Sequence, residues 1–189
     1  NIMNSDRVLE IFREITTIPR ESGHEEKMTE FLQHFAAEHN LGCRTDATGN
    51  VVITREASKS KENVPSIALQ SHQDMVCEKI AGSSHDFATE PIDYVIEDGW
   101  MIAKETTLGA DDGIGIAATL ALLASDLPMG KVEGLFTISE ETGMDGANDI
   151  EPGFIESRTL LNLDSEDEGQ IFVGCAGGID TTAVFRYST

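Results

Sequence analysis

The sequence has 189 residues, which suits one domain or one large piece of a longer protein. Its 34 acidic residues against 13 basic ones give a net charge of -21. Because such a surface repels phosphate backbones and anionic lipid, we expect no nucleic-acid partner and no membrane partner. The longest apolar run, residues 113–124, is too short to span a bilayer. Three cysteines without a CxxC pair are typical of free thiols in a reducing, cytoplasmic setting.

Three helices are predicted. Residues 5–18 have apolar side chains on one helical face and are followed by Pro19. A second helix is predicted to begin near Ser22, where Ser22 and Glu25 form a capping-box pattern, and to end before Gly42. Residues 113–125 form a nearly all-apolar helix, so we expect this helix to be buried on most sides.

Short strands are predicted between and after these helices. The predicted strands are residues 50–54, 66–71, 132–138, 159–163, 171–173 and 179–187. Segments 94–97 and 100–103 flank Asp98-Gly99, which is a strong hairpin signal. This alternation predicts an α/β layered domain with a mainly parallel central sheet plus antiparallel hairpins.

Ligands of open α/β sheets bind beyond the carboxyl ends of the strands, so the residues at these ends are candidates for a site. Such residues, together with the pair before the buried helix, are His72, Asp74, Asp111, Asp112, Glu140, Glu141 and Asp164. Each taken alone has a simpler interpretation, such as a helix N-cap, a structural histidine or a solvated acidic turn. Their coincidence at one rim of the sheet favours a metal site.

Imidazole and carboxylate groups together suit zinc or a similar divalent ion. Because so many carboxylates would repel one another around one ion, we expect two ions that share a bridging carboxylate, about 3.5–4 Å apart. Asp74 is placed to orient His72, and Glu140 and Glu141 can divide the work of base and ligand. Motifs of P-loop, dinucleotide-binding, serine-hydrolase and HExxH proteins are absent from the sequence.

Four tracts in this order resemble the M20 family of metallopeptidases, and most closely its branch of aminoacyl-histidine (Xaa-His) dipeptidases, or peptidase D. These tracts are residues 69–76 (LQSHQDMV), 107–113 (TLGADDG), 139–143 (SEETG) and 162–166 (NLDSE). Residues 85–92 and 174–178 also fit that branch. The resemblance implies a zinc-exopeptidase-like fold and covers the chain from about residue 5 to residue 187.

The resemblance implies a metal-ligand set. His72 and Asp164 would bind one ion, Asp111 would bridge the two ions, and Glu141 would bind the second. Asp112 would be held beside Asp111, often through a cis peptide bond in this family. Zinc is the implied ion, with two ions in an intact site and manganese or cobalt as alternatives.

The resemblance also implies two catalytic roles and a class of substrate. Glu140 would be the general base that accepts a proton from the attacking water, and Asp74 would orient His72. The substrates would be small peptides, either Xaa-His or a broad range of dipeptides. A tripeptide aminopeptidase or an N-acyl amino acid deacylase is the alternative within the same chemistry. A non-catalytic metal-binding module is the alternative from another class.

The sequence departs from the family in its extent. The second ion of the family has one more ligand, a histidine near the C-terminus, and no residue here matches it. Members also have an inserted lid or dimerisation domain. We therefore expect residues 1–189 to be the N-terminal part of the catalytic domain, incomplete and inactive alone. The full-length protein is expected to be a homodimer.

Overall fold

The computed structural model describes residues 4–165, 167, 169–174, 177 and 181–187. Its helices are α1 Ser5–Ile15, α2 Glu26–Glu38, α3 Ala110–Leu123 and α4 Asp145–Asn148. Its strands are β1 Gly42–Thr45, β2 Val51–Arg55, β3 Ile67–His72, β4 Tyr94–Glu97, β5 Trp100–Ala103, β6 Val132–Thr137 and β7 Thr159–Asn162.

A five-stranded mixed sheet forms the centre, in the order β1-β2-β6-β3-β7, and β4 and β5 form a separate hairpin. Strand β3 runs parallel to β6 and β7, whereas β2 runs antiparallel to β1 and β6. The register pairs His72 with Thr137 and Gln70 with Asn162. The carboxyl ends of the three parallel strands therefore meet at one rim, and the predicted α/β layered class is confirmed.

The hydrophobic core lies between helices α1, α2 and α3 and the central sheet, and all of these elements contribute buried side chains to it. Helix α3 buries most of its residues, as predicted from its apolar sequence. A glycine allows its close approach to the sheet, because a Cβ at Gly134 in β6 would lie 2.8 Å from Cγ2 of Thr119. In the described part of the chain, no helix is long and apolar enough to cross a membrane.

The first two helices differ from their predicted bounds. Helix α1 ends at Ile15 because the N–H groups of Thr17 and Ile18 bond to carbonyls three residues back, which tightens the chain into turns. The prediction of a capping box at Ser22 is wrong, since α2 begins at Glu26 and Glu25 makes no side-chain cap bond. The Ser22 hydroxyl and the Glu25 carboxylate instead bond to distant segments of the chain.

Other differences concern short or terminal elements. Strand β1 and helix α4 were not predicted, since β1 is exposed throughout and α4 has only four residues. The predicted strand 171–173 is wrong, as is the described part of 179–187, residues 181–187, because neither forms a strand in the structure. Residues 179 and 180 lie outside the described residues. The other strands agree with prediction to within one or two residues.

Strand β6 has a carboxylate inside the sheet. Glu133 is fully buried, and its carboxylate accepts hydrogen bonds from the N–H of Glu156 at 3.1 Å and of Ser157 at 2.7 Å. The Ser157 hydroxyl donates to the same group at 2.6 Å, and a nitrogen of Arg44 lies 3.7 Å away. Glu133 therefore anchors the segment that leads into β7.

We expect Glu133→Ala to lower the free energy of unfolding by about 2–4 kcal/mol, because the buried N–H of Ser157 loses its acceptor. Urea unfolding followed by far-ultraviolet circular dichroism measures this difference. Glu62→Ala, at an exposed loop position, is the control and should stay within about 0.5 kcal/mol of the parent protein. Equal stabilities of the two variants would contradict the anchoring role.

Candidate metal centre

His72, the last residue of β3, is buried at the rim of the sheet with its two ring nitrogens in different surroundings. Nδ1 lies 3.0 Å from the backbone carbonyl oxygen of Asp74 and 3.3 Å from Oδ1 of the same residue. Nε2 lies 2.9 Å from Oδ1 of Asp111 and 3.9 Å from Oδ2 of Asp164. Because a carbonyl oxygen only accepts, Nδ1 carries the proton in the neutral ring and Nε2 remains as a ligand atom.

The structure brings the predicted ligands together in two groups that share His72. One group is His72, Asp111 and Asp164, and the other is His72, Glu140 and Glu141. Within each group the possible ligand atoms lie within 4.8 Å of one another. This combination of one imidazole with several carboxylates fits zinc or a similar divalent ion.

Asp74 is a fully buried carboxylate that connects both groups. It accepts hydrogen bonds from the Ser22 hydroxyl at 2.7 Å and from the N–H groups of Glu140 and Glu141 at 3.1 and 3.2 Å. Burial alone would raise the pKa of Asp74, but its hydrogen bonds with His72, Ser22 and these N–H groups lower it to about 2. Asp74 is therefore ionised at neutral pH.

Burial and the nearby negative charges shift the pKa values of the other titratable groups at the rim. Burial would lower the pKa of His72, but its hydrogen bonds to Asp74 and Asp111 raise it to about 9. Burial raises the pKa of Glu140 and Glu141, and the charge of Asp111 adds to the rise at Glu141. A cation bound among these carboxylates would relieve this repulsion.

The turn after β6 is held by side chains from other segments of the chain. Four successive backbone N–H groups each donate to one of them: Ile138 to Asn50 at 3.2 Å, Ser139 to Glu25 at 2.9 Å, Glu140 to Asp74 at 3.1 Å and Glu141 to Asp74 at 3.2 Å. The backbone that carries the two glutamates is therefore fixed by tertiary contacts.

At the start of α3, the side chains of Asp111 and Asp112 have different hydrogen-bond partners. Their peptide bond is cis, and neither residue has helical backbone angles. The Asp111 carboxylate bonds to His72 at the rim, whereas Oδ1 of buried Asp112 accepts the N–H of Gly115 at 3.2 Å. The interpretation as a helix cap therefore applies to Asp112. Burial raises the pKa of Asp112 to about 7.

Arg20 is a buried residue beneath the rim that the sequence analysis missed. Its guanidinium donates to the carbonyl oxygens of Gln73 at 3.0 Å and Asp74 at 2.8 Å, and to that of Gly109. Burial lowers its pKa to about 10, so it remains charged at neutral pH. Arg20 joins the end of β3 to the residue before α3. An arginine beside Pro19 in a loop has no local pattern that would reveal this role.

Comparisons with known proteins identify two similar dipeptidases. No protein-family model matches the chain. Over 175 residues, 92% of this chain, it is 43% identical to the cytosol non-specific dipeptidase of Escherichia coli K12 and covers 36% of that protein. It superposes on the crystal structure of aminoacylhistidine dipeptidase from Vibrio alginolyticus with a TM-score of 0.85 and 43% identity. That match covers 88% of this chain and 34% of the Vibrio chain.

A more distant structure shares the fold. A tripeptidase from Staphylococcus aureus superposes with a TM-score of 0.74 and 24% identity, over 88% of this chain and 45% of the tripeptidase. This likeness concerns the fold alone. The chain spans about a third of the length of the two dipeptidases, so it corresponds to a part of each.

We expect Arg20→Lys to weaken Zn²⁺ affinity by about 10- to 100-fold, because a single ammonium cannot hold the carbonyls of both Gln73 and Gly109 in place. Calorimetric titration with ZnCl₂ measures the change. Arg7→Lys, in an ion pair on the surface of α1, is the matched control and should bind as the parent does. Parent-like affinity of a folded Arg20→Lys protein would contradict the bridging role.

Proposed function

Because this chain belongs to the M20-type peptidases, we propose that it is the metal-binding part of an enzyme that hydrolyses dipeptides, either Xaa-His or a broad range. The observation that carries this proposal is the convergence of four carboxylates around His72 at the rim of the sheet, in two groups whose possible ligand atoms lie within 4.8 Å of one another. The 43% identity to two dipeptidases supports the choice of substrate class.

We propose that the rim holds two divalent ions. His72 and Asp164 would hold one, Glu141 the other, and Asp111 would lie between them. Zinc fits this donor set, and manganese and cobalt are the alternatives. Ions bound there would activate water for attack and polarise the carbonyl of the peptide bond.

Glu140 would act as the general base and Asp74 as the orienting residue. The Glu140 carboxylate would accept a proton from the attacking water and pass it to the leaving amine. Burial raises the pKa of Glu140 above its usual value, a direction that favours a group which both takes and gives a proton. Asp74 would keep Nδ1 of His72 directed inward and hold the backbone of Glu140 at the same time.

The alternative within the same chemistry is another M20-type amidohydrolase. A tripeptidase shares the fold of this chain, which supports a tripeptide aminopeptidase as the second candidate. An N-acyl amino acid deacylase would use the same strand-end residues. Hydrolysis of Ala-His, Ala-Ala-His and N-acetylhistidine by the same sample separates the three activities.

We propose further that these 189 residues are the N-terminal part of the catalytic domain of a cytoplasmic homodimer. The chain covers about a third of each of the two dipeptidases, which supports its being one part of a longer protein. The name of the Escherichia coli relative and the free thiols of Cys43 and Cys77 support the cytoplasmic location. A lid or dimerisation domain and a second catalytic segment would complete the site.

We expect this chain alone to bind one zinc ion and to hydrolyse no Xaa-His dipeptide, because the second ion would lack a ligand. Calorimetric titration with ZnCl₂ and an assay of the same sample with Ala-His test this. Asp111→Ala should abolish binding, and Asp149→Ala, at an exposed position after α4, should leave it unchanged. Two tightly bound ions with turnover would contradict the incomplete site.

In the full-length protein, we expect Glu140→Gln to lower kcat by about 10²- to 10⁴-fold while both ions remain bound, because the amide cannot accept the proton. Steady-state hydrolysis of Ala-His and metal analysis of the purified variant provide the two readouts. Glu62→Gln is the matched control at an exposed position. Unchanged turnover of Glu140→Gln would rule out Glu140 as the base.

A further inference from the structure

Glu25 is a buried carboxylate that lies outside the proposed set of ligands and catalytic groups. It is 5% exposed and precedes α2, yet its side chain makes no cap bond to that helix. Its Oε1 accepts hydrogen bonds from the N–H of Ser139 at 2.9 Å and from the Ser139 hydroxyl at 3.3 Å. Helix capping, the ordinary use of a carboxylate at this position, therefore does not account for Glu25.

Ser139 has a backbone that needs such support. Its φ of 53° lies in the left-handed region, which is unfavourable for a residue with a side chain. Ser139 is the second residue after β6, and the next two N–H groups, of Glu140 and Glu141, both donate to Asp74. The bonds to Glu25 stabilise the bend that starts this turn.

The loop between α1 and α2 holds both strand ends that form the rim. Arg20 bonds to the carbonyls that follow β3, and Ser22 bonds to the Asp74 carboxylate. Glu25, from the same loop, bonds to the residue that precedes Glu140. One segment of six residues thus sets the end of β3 and the end of β6 relative to each other.

From this geometry we infer that Glu25 is a positioning residue, which fixes the Glu140 carboxylate relative to His72 by holding the backbone of Ser139. The inference rests on the proposed function, in which Glu140 is the base. A displacement of a reacting group by about 1 Å can lower a rate by about 10²-fold. Loss of the acceptor at Glu25 should therefore reduce kcat, whereas ligand atoms on β3 and α3 stay in place.

Turnover of Ala-His by the full-length, metal-loaded protein is the experiment. We expect Glu25→Ala to lower kcat by about 10²-fold, with KM within about twofold and with the ion at His72 and Asp164, which lie outside this turn, retained. Glu25→Gln should restore kcat to within about threefold, because its amide oxygen can accept both bonds from Ser139. Glu26→Ala, which removes the exposed carboxylate next in sequence, is the matched control and should leave kcat unchanged.

Two results would overturn the inference: wild-type kcat in a folded Glu25→Ala protein, or an equal loss of kcat in Glu25→Gln and Glu25→Ala. The second result would mean that the charge of Glu25 matters rather than its hydrogen bonds. If Glu25→Ala does not fold, Glu25→Asp takes its place, since it retracts the carboxylate by one methylene and should lower kcat in the same way. A wild-type protein that binds two ions but cleaves no peptide overturns the proposed function, and the inference falls with it.

Discussion

The arrangement of the rim depends on the hydrogen bonds of one buried carboxylate, that of Asp74. One oxygen accepts from Ser22 and from the N–H of Glu141, and the other accepts from the N–H of Glu140 beside Nδ1 of His72. A carboxylate removed from water is stable only when such bonds replace its hydration. The same bonds that stabilise the charge therefore also hold the end of β3 against the turn after β6.

The acidity of the chain has two physical meanings. Most of its 34 acidic residues lie on the surface, where water solvates them. At the rim, burial and mutual repulsion raise the pKa of Glu140 and Glu141, while the guanidinium of Arg20 bonds carbonyl oxygens rather than these carboxylates. The rim thus concentrates negative charge in a place where a cation stabilises it.

The sequence predicted those features that follow from periodicity and from the geometry of parallel strands. The His72 and Glu140 segments meet because β3 and β6 end at the same level of the sheet. The prediction of a capping box at Ser22 was wrong because both of its side chains have partners elsewhere in the fold. Ser22 donates to Asp74, and Glu25 accepts from Ser139, so neither side chain caps α2. Arg20 escaped notice because its carbonyl partners are identified only by the folded chain.

The bond between Glu25 and Ser139 also bears on the order in which the molecule folds. It joins residues 114 positions apart in the chain, and the bond from Glu140 to Asp74 spans 66 positions. Strand β6 enters the sheet between β2 and β3, both of which precede it in the sequence. Because contacts of such separation form slowly, helices α1, α2 and α3 and the β1–β2 hairpin, which all precede β6, are free to form on the ribosome before β6 is inserted. The turn that carries Glu140 and Glu141 is therefore a late product of folding, formed when β6 enters the sheet.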